Sequence, residues 1–198
     1  MRIGSRRSVV LVLWAVAALA VCLPLLAQSA GKHCVTSLAP LEPGARQSKV
    51  LGRECYSSFP EAVWHATGGR VNLSEADDFK TQLATLEREL KADGRLEAKG
   101  LQEKATFVIA IDYDAVNYGG STAMFNGSSA CSSTTSYGVT TMPAGWDNAA
   151  DSTKAFSNCN NNQAYENASY GGANRICTPD CADLGVLKNA VSSQRWYF

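Results

Sequence analysis

Cysteines are the residues of this 198-residue chain best suited to chemistry, and there are seven of them. Cys22 lies in an apolar N-terminal run that is expected below to be a cleaved leader, and the other six form an even set: Cys34, Cys55, Cys131, Cys159, Cys177 and Cys181. A zinc site would need a Cys-x-x-Cys pair or a cluster with histidine, and the sequence has neither. An even number of cysteines in an exported chain is typical of disulfides. Their connectivity is open at this level, although proximity favours Cys34–Cys55, Cys131–Cys159 and Cys177–Cys181.

The residues that catalysis usually needs do not form a recognisable arrangement. The two histidines, His33 and His65, have no nucleophile at a matching spacing, and neither HExxH nor GxSxG occurs. Asp112, Asp114 and Glu166 offer carboxylates, but Asp114 and Glu166 occupy equivalent places in a repeat. Equivalent places predict the same turn role rather than an acid and a base, so we expect no enzymatic activity.

The repeat is an eight-residue stretch that occurs at 113–120 and again at 165–172. Each copy contains an aromatic residue, an acidic residue, a second tyrosine and a glycine pair. A glycine pair supplies the positive φ of a tight corner, and an aromatic ring can cover the bare backbone there. Each copy then continues into a strand-like segment, which predicts a folded-over hairpin in each of two duplicated units. The corner residues are Tyr113, Gly119, Gly120, Tyr165, Gly171 and Gly172.

A second pair of segments, 146–156 and 187–197, follows the two copies in matching register. A corner hairpin followed by a polar loop and a short strand resembles the Greek-key unit of the βγ-crystallins, and the pair resembles a complete two-unit domain. Among secreted microbial versions, the sequence is similar to the family 36 peptidase inhibitors, the Streptomyces-type metalloproteinase inhibitors. The resemblance covers residues 106–198.

This resemblance implies a mainly β protein: a two-motif Greek-key βγ-crystallin-like sandwich, preceded by a short two-helix N-terminal region. The residues agree with it, because the β-branched run 107–111 fits a buried strand and clusters of Gly, Asn and Ser divide the remainder into short segments. Trp146 and Trp196 are expected in the core or at corners.

The resemblance also implies a calcium site, because the family carries an oxygen-rich loop in each unit and the two loops face each other. Ca²⁺ needs six to eight oxygen ligands, which such a pair of loops can supply. The implied ligands are Asp147, Asn148, Asp151, Asn189 and Ser192. Lys188 places an ammonium where the family has a ligand, so we expect at most one competent site of weak affinity. The alternative is that both loops are structural turns whose side chains cap backbone groups.

Three functions remain open at this level. The family resemblance implies a secreted inhibitor of extracellular peptidases, with the loop from Ser128 to Pro143 as its contact surface. The second function is a calcium-binding structural or cell-surface protein. The third is a small antimicrobial toxin, against which the net negative charge argues.

The first 29 residues have the three parts of a secretory signal peptide: an arginine-rich start, an apolar run and small residues before the expected cleavage point. An uncleaved membrane anchor is the alternative, because the apolar run is close to spanning length. Cleavage removes three of the 18 basic residues and none of the 18 acidic ones, leaving a charge of −3. That balance argues against nucleic-acid binding. We expect a secreted protein with no membrane contact after cleavage.

Residues 30–105 are predicted to form an arm, two helices and a linker. Residues 31–53 have no periodicity and predict an extended arm. One helix starts at Ser58 and ends at Gly68, with Trp64 on its apolar side; a second starts with a capping box of Ser74 and Asp77 and ends at Gly94. A removable propeptide or a partner-binding hairpin is the functional interpretation of this region. The β domain is predicted to span residues 106–198.

Overall fold

The structure is a computed structural model that describes residues 33–97 and 106–198; the predicted leader lies outside the described residues. Nine strands and two helices form the described part of the chain. In order they are β1 (His33–Leu38), β2 (Val50–Tyr56), α1 (Phe59–Ala66), α2 (Phe79–Glu97), β3 (Phe107–Ala115), β4 (Gly119–Gly127), β5 (Tyr137–Val139), β6 (Ser152–Ala155), β7 (Asn161–Asn167), β8 (Gly171–Cys177) and β9 (Ser193–Tyr197).

The strands form two sheets, and the helices add a third layer. The first sheet has the order β2-β1-β4-β3-β6, and the second has the order β5-β9-β7-β8. A core lies between the two sheets, with Ile109, Phe125 and Trp196 among its fully buried side chains. A second core lies between the first sheet and the helices, where Ile111 and Met124 meet Leu86. Strand β3 therefore has both faces covered, which explains its almost continuous apolar run.

The two Greek-key units exchange strands. Strand β5 follows β4 in the chain but pairs with β9 of the second unit. In return, Cys181 of the second unit forms an antiparallel bridge with Thr153 of β6. The second sheet thus contains one strand of the first unit, and the first sheet is bridged at one position by the second unit.

The arm predicted for residues 31–53 is instead a β-hairpin that extends the first sheet. Strand β1 pairs antiparallel with β2 and parallel with β4, and the Cys34–Cys55 disulfide joins the two strands of the hairpin. The segment between them reaches the second sheet, where Ser48 N–H donates to Gly138 O at 2.8 Å. The sequence does not predict this pairing, because the parallel pairing of β1 with β4 joins residues far apart in the chain and leaves no local turn pattern. The predicted domain boundary near residue 105 stays a prediction.

The helices lie in the middle of the chain rather than forming an N-terminal region, because β1 and β2 precede them. Helix α1 begins as predicted, with the Ser58 side chain accepting a hydrogen bond from Glu61 N–H. Trp64 was expected on its buried side but is 44% exposed. None of the described helices is both long and apolar enough to cross a membrane.

Helix α2 differs from its prediction at both ends. It begins at Phe79, where Thr81 N–H donates to Asp78 Oδ1 at 2.9 Å, so Asp78 is its cap. The predicted capping box was one turn too early, because Ser74 instead closes a turn by accepting from Ala76 N–H. The helix also continues past Gly94 to Glu97.

Candidate functional site

The two repeated corners have the same backbone conformation. In each unit the chain reverses through a 3₁₀ turn whose closing tyrosine has a positive φ, 63° at Tyr118 and 64° at Tyr170. The first tyrosine of each copy packs on the second, with ring centroids 5.7 Å apart for Tyr113 and Tyr118 and 5.3 Å apart for Tyr165 and Tyr170. Tyr113 and Tyr165 thus have equivalent surroundings. Of each predicted glycine pair only the second, Gly120 or Gly172, has a positive φ, because Gly119 and Gly171 are extended, at −108° and −98°.

The acidic residues of the two corners also have one shared role. Asp114 Oδ1 accepts from Ser121 N–H at 2.7 Å, and Glu166 Oε2 accepts from Ala173 N–H at 3.1 Å. A Cβ on Gly120, whose φ is +82°, would lie 1.9 Å from Asp114 Oδ1, so only glycine fits there. Both carboxylates close turns, as their equivalent repeat positions predicted.

A buried serine in the strand that follows each polar loop forms hydrogen bonds to the backbone of the corner. Ser152 Oγ accepts from Tyr118 N–H at 3.0 Å and donates to Ala115 O at 2.6 Å. Ser193 makes the same two bonds in the second unit, to Tyr170 N–H at 3.0 Å and Asn167 O at 2.7 Å. These serines end the two polar loops, so the loops are held against the corners.

The two polar loops, 147–152 and 188–193, face each other across the pseudo-two-fold axis. Asn148 N–H donates to Val191 O at 3.0 Å, and Asn189 N–H donates to Ala150 O at 3.2 Å. Both asparagines have the positive φ of a left-handed turn, 58° and 52°. Ser192 Oγ adds a hydrogen bond to Asn148 Oδ1 at 3.2 Å. The two loops are therefore joined by two backbone hydrogen bonds and one side-chain hydrogen bond.

The oxygen donors are unequally divided between the loops. The first loop has two carboxylates, an exposed Asp147 and Asp151, whose Oδ1 accepts from Asn189 N–H at 3.1 Å. At the position equivalent to Asp147, the second loop has Lys188, whose Nζ lies 3.5 Å from Asp183 Oδ2. Hard oxygen ligands suit Ca²⁺ and an ammonium opposes it, so the charges of the first loop would favour an ion and Lys188 would disfavour one at the second. Within the described residues, no group of three or more His, Cys, Asp or Glu side chains is placed to hold a metal.

The predicted contact loop contains a turn held by a disulfide. Ser132 and Thr135 exchange two backbone hydrogen bonds, at 3.0 and 3.2 Å, and the residues between them are exposed. The neighbouring Cys131 is buried, forms a disulfide with Cys159 and donates its N–H to Ser157 O at 2.9 Å. The turn is thus fixed at its base and exposed at its tip. Cys177 and Cys181 form the remaining disulfide.

The histidines and Asp112 have structural surroundings. His65 stacks on Tyr56 with centroids 4.4 Å apart, and His33 Nδ1 lies 3.0 Å from Thr122 Oγ1. Asp112 is fully buried between the sheets, on the opposite face of β3 from Tyr113. The burial of Asp112 was not predicted from the sequence. Its position directly after the apolar run 107–111 is the one local feature that indicates burial.

Comparisons with known proteins give structural matches only. No protein-family model and no curated protein matches the chain. A crystal structure of a βγ-crystallin from an archaeon is 22% identical, covering 45% of this chain and 96% of that one, with a TM-score of 0.34. A double mutant of a βγ-crystallin domain from Clostridium beijerinckii is 20% identical over 45% and 96% of the two chains, with a TM-score of 0.33. A βγ-crystallin domain from Flavobacterium johnsoniae is 22% identical over 45% and 92%, with a TM-score of 0.30.

The class of fold follows from the geometry itself. The two units have matching corners, matching serines and facing loops, and strand β5 of the first unit pairs in the sheet of the second. The described chain therefore has a βγ-crystallin-like sandwich, extended by a hairpin and covered on one face by two helices.

Proposed function

We propose that the protein is a secreted, non-enzymatic inhibitor of extracellular peptidases, of the kind that the resemblance to the family 36 inhibitors implies. The observation that supports this proposal is the exposed turn between Ser132 and Thr135, held at its base by the Cys131–Cys159 disulfide. The three disulfides fit an oxidising, extracellular environment.

A turn of this kind suits inhibition for an entropic reason. A loop that is already ordered loses little conformational entropy when it enters an active-site cleft, so more of its contact energy becomes affinity. The backbone of the turn is fixed by two hydrogen bonds, and its small side chains have few rotamers to lose. A fixed backbone also resists the distortion that cleavage requires.

The test is a panel of a thermolysin-like, a subtilisin-like and a trypsin-like peptidase, each mixed with the purified mature protein. We expect at least one enzyme to be inhibited, and we expect Ser133→Trp at the exposed tip to weaken that inhibition at least tenfold. Asn72→Trp, an exposed substitution outside the turn, is the matched control. If all three enzymes keep full activity and degrade the protein, the proposal is wrong.

A calcium-stabilised structural or cell-surface protein is the second proposed function, favoured by the facing loops and the two carboxylates of the first loop. Asp147, Asp151 and Asn148 would hold one ion, which would cross-link the two units when bound. In a melting curve, millimolar Ca²⁺ should raise Tm, Asp147→Asn should reduce the increase, and Lys188→Asp should enlarge it. An unchanged Tm in all three proteins would remove this function and leave the inhibitor proposal unaffected.

A further inference from the structure

The core between the two sheets contains a group of polar side chains. Asp112 of β3, Thr153 of β6, Asn162 of β7 and Gln194 of β9 are each 0% exposed. Two of them belong to the first sheet and two to the second, so the group bridges the sandwich. We call these four residues the inter-sheet polar cluster.

Three hydrogen bonds connect the inter-sheet polar cluster. Thr153 Oγ1 donates to Asp112 Oδ1 at 2.6 Å, and Gln194 Nε2 donates to the same oxygen at 3.1 Å. Asn162 Nδ2 donates to Thr153 Oγ1 at 2.6 Å. The bond between Asp112 and Gln194 joins the first sheet directly to the second.

Three oxygens of the cluster have no hydrogen-bond partner in the described part of the chain: Asp112 Oδ2, Gln194 Oε1 and Asn162 Oδ1. All three are acceptors, and a buried polar atom without a partner destabilises the fold. Asp112 and Gln194 already share one hydrogen bond through their other atoms. One added hydrogen on Asp112 would allow the remaining pair of oxygens to form a second.

We propose that Asp112 is a proton-binding lock between the two sheets: Asp112 Oδ2 takes up a proton from solvent and donates it in a hydrogen bond to Gln194 Oε1. The neutral carboxyl and the primary amide then form a closed pair with two hydrogen bonds. Loss of the proton leaves a buried carboxylate beside an amide oxygen, which weakens the contact between the sheets. The lock is therefore closed in mildly acidic medium and open at neutral and higher pH.

The surroundings of Asp112 favour uptake of the proton. Burial raises the pKa of Asp112 to about 6, against the opposing hydrogen bonds from Thr153 and Gln194. The elements packed against this side chain present no charge to it. Its neighbours are Thr153 of β6, Asn162 of β7, Gln194 of β9 and, as its register partner, Ala123 of β4. Lys154, the next residue along β6, instead contacts carboxylates of α2 and of the 177–181 loop.

The sign of the pH effect follows from the raised pKa. An unfolded aspartate titrates near its ordinary value of 3.8, whereas folded Asp112 titrates near 6. The folded state therefore binds one more proton than the unfolded state between these values, and stability falls as the pH rises through that interval. This trend is opposite to that of a salt-bridged carboxylate.

Thermal unfolding of the full chain without its leader at pH 4.5 and pH 7.5 tests the lock. Asp112→Asn copies the protonated acid, because its amide nitrogen can donate to Gln194 Oε1 at any pH. We expect Asp112→Asn to raise Tm at pH 7.5 by about 5–10 °C and to change it little at pH 4.5. Glu42→Gln replaces an exposed carboxylate by an amide and is the control. Its Tm should equal that of the unsubstituted protein at both pH 4.5 and pH 7.5.

A measurement on the unsubstituted protein keeps the proposal falsifiable if the variant folds poorly. A ¹³C NMR titration of the aspartate carboxyl carbons in the unsubstituted protein should show one resonance titrating near pH 6. If every resonance titrates below pH 5, or if Asp112→Asn keeps the pH dependence of the unsubstituted protein, the proposal is wrong. A Tm at pH 7.5 that depends on Na⁺ or Ca²⁺ in the unsubstituted protein but not in Asp112→Asn would also overturn it, because the cluster would then bind a metal ion.

Discussion

One serine hydroxyl group holds each of the two corners by hydrogen bonds to the backbone. Ser152 and Ser193 are fully buried, and each satisfies one backbone N–H and one backbone carbonyl at the point where a hairpin folds over. These backbone groups lie in 3₁₀ turns, where regular strand pairing is interrupted. A side chain must therefore supply the hydrogen bonds that the sheet does not.

We predict that Ser152→Ala and Ser193→Ala each lower the free energy of unfolding by about 1–3 kcal/mol, because each variant loses two hydrogen bonds to partly buried backbone groups. Urea unfolding followed by tryptophan fluorescence measures the loss. Ser133→Ala, at an exposed turn, is the control and should cost less than about 0.5 kcal/mol. A loss at Ser152 as small as that of the control would contradict the assigned role.

At the level of elements, helix α2 is attached to the sandwich by apolar contacts and by one lysine. Lys154 Nζ lies 2.9 Å from Glu87 Oε1 of the helix, 3.2 Å from Asp180 Oδ2 and 4.1 Å from the centroid of the Tyr118 ring. Burial lowers the pKa of Lys154, but the hydrogen bond to Glu87 and the charge of Asp180 outweigh it and raise the pKa overall. The raised pKa means that Lys154 stabilises the fold at neutral pH and that its contribution is lost only as the pH rises above 10.5.

We predict that Lys154→Met loosens α2 while keeping the packing of the side-chain stem. Glu87 and Asp180 would be left without their shared cation, at a cost of about 1–2 kcal/mol, because both carboxylates are about a third exposed and partly screened. Amide hydrogen exchange should become faster in α2, with a smaller effect in β3. Lys80→Met, at an exposed position of the same helix, is the control; equal exchange in the two variants would show that Lys154 does not hold the helix.

For the whole molecule, the layered arrangement gives residues 33–97 a core in common with the first sheet of the sandwich. The outer face of the first sheet carries Val108, Ile111 and Met124, which are buried only because α1 and α2 cover them. Strand β1 covers the edge of β4 as well. A β domain cut free at residue 106 would expose both an apolar face and an unpaired strand edge.

We predict that the 106–198 fragment aggregates or binds ANS, because it lacks the cover of its first sheet. Size-exclusion chromatography and ANS fluorescence measure this. Replacing Val108, Ile111 and Met124 by threonine in the same fragment should restore a soluble monomer, since the exposed face would then be polar. A soluble, cooperatively melting fragment without these substitutions would show that residues 33–97 are dispensable, as a removable propeptide would be.

The local sequence pattern predicted the duplicated corners, the positions of the buried tryptophans and the start of α1. These features depend on turns, caps and strand periodicity, which involve residues close together in the chain. Proximity also paired the six cysteines in the way that the structure joins them. Only the tertiary structure decided that the N-terminal arm is a hairpin in the first sheet, that β5 belongs to the second, and that Asp112 meets Gln194 between the sheets. These are pairings between residues far apart in sequence, and their energy comes from burial and hydrogen bonds that exist only once the sheets have packed.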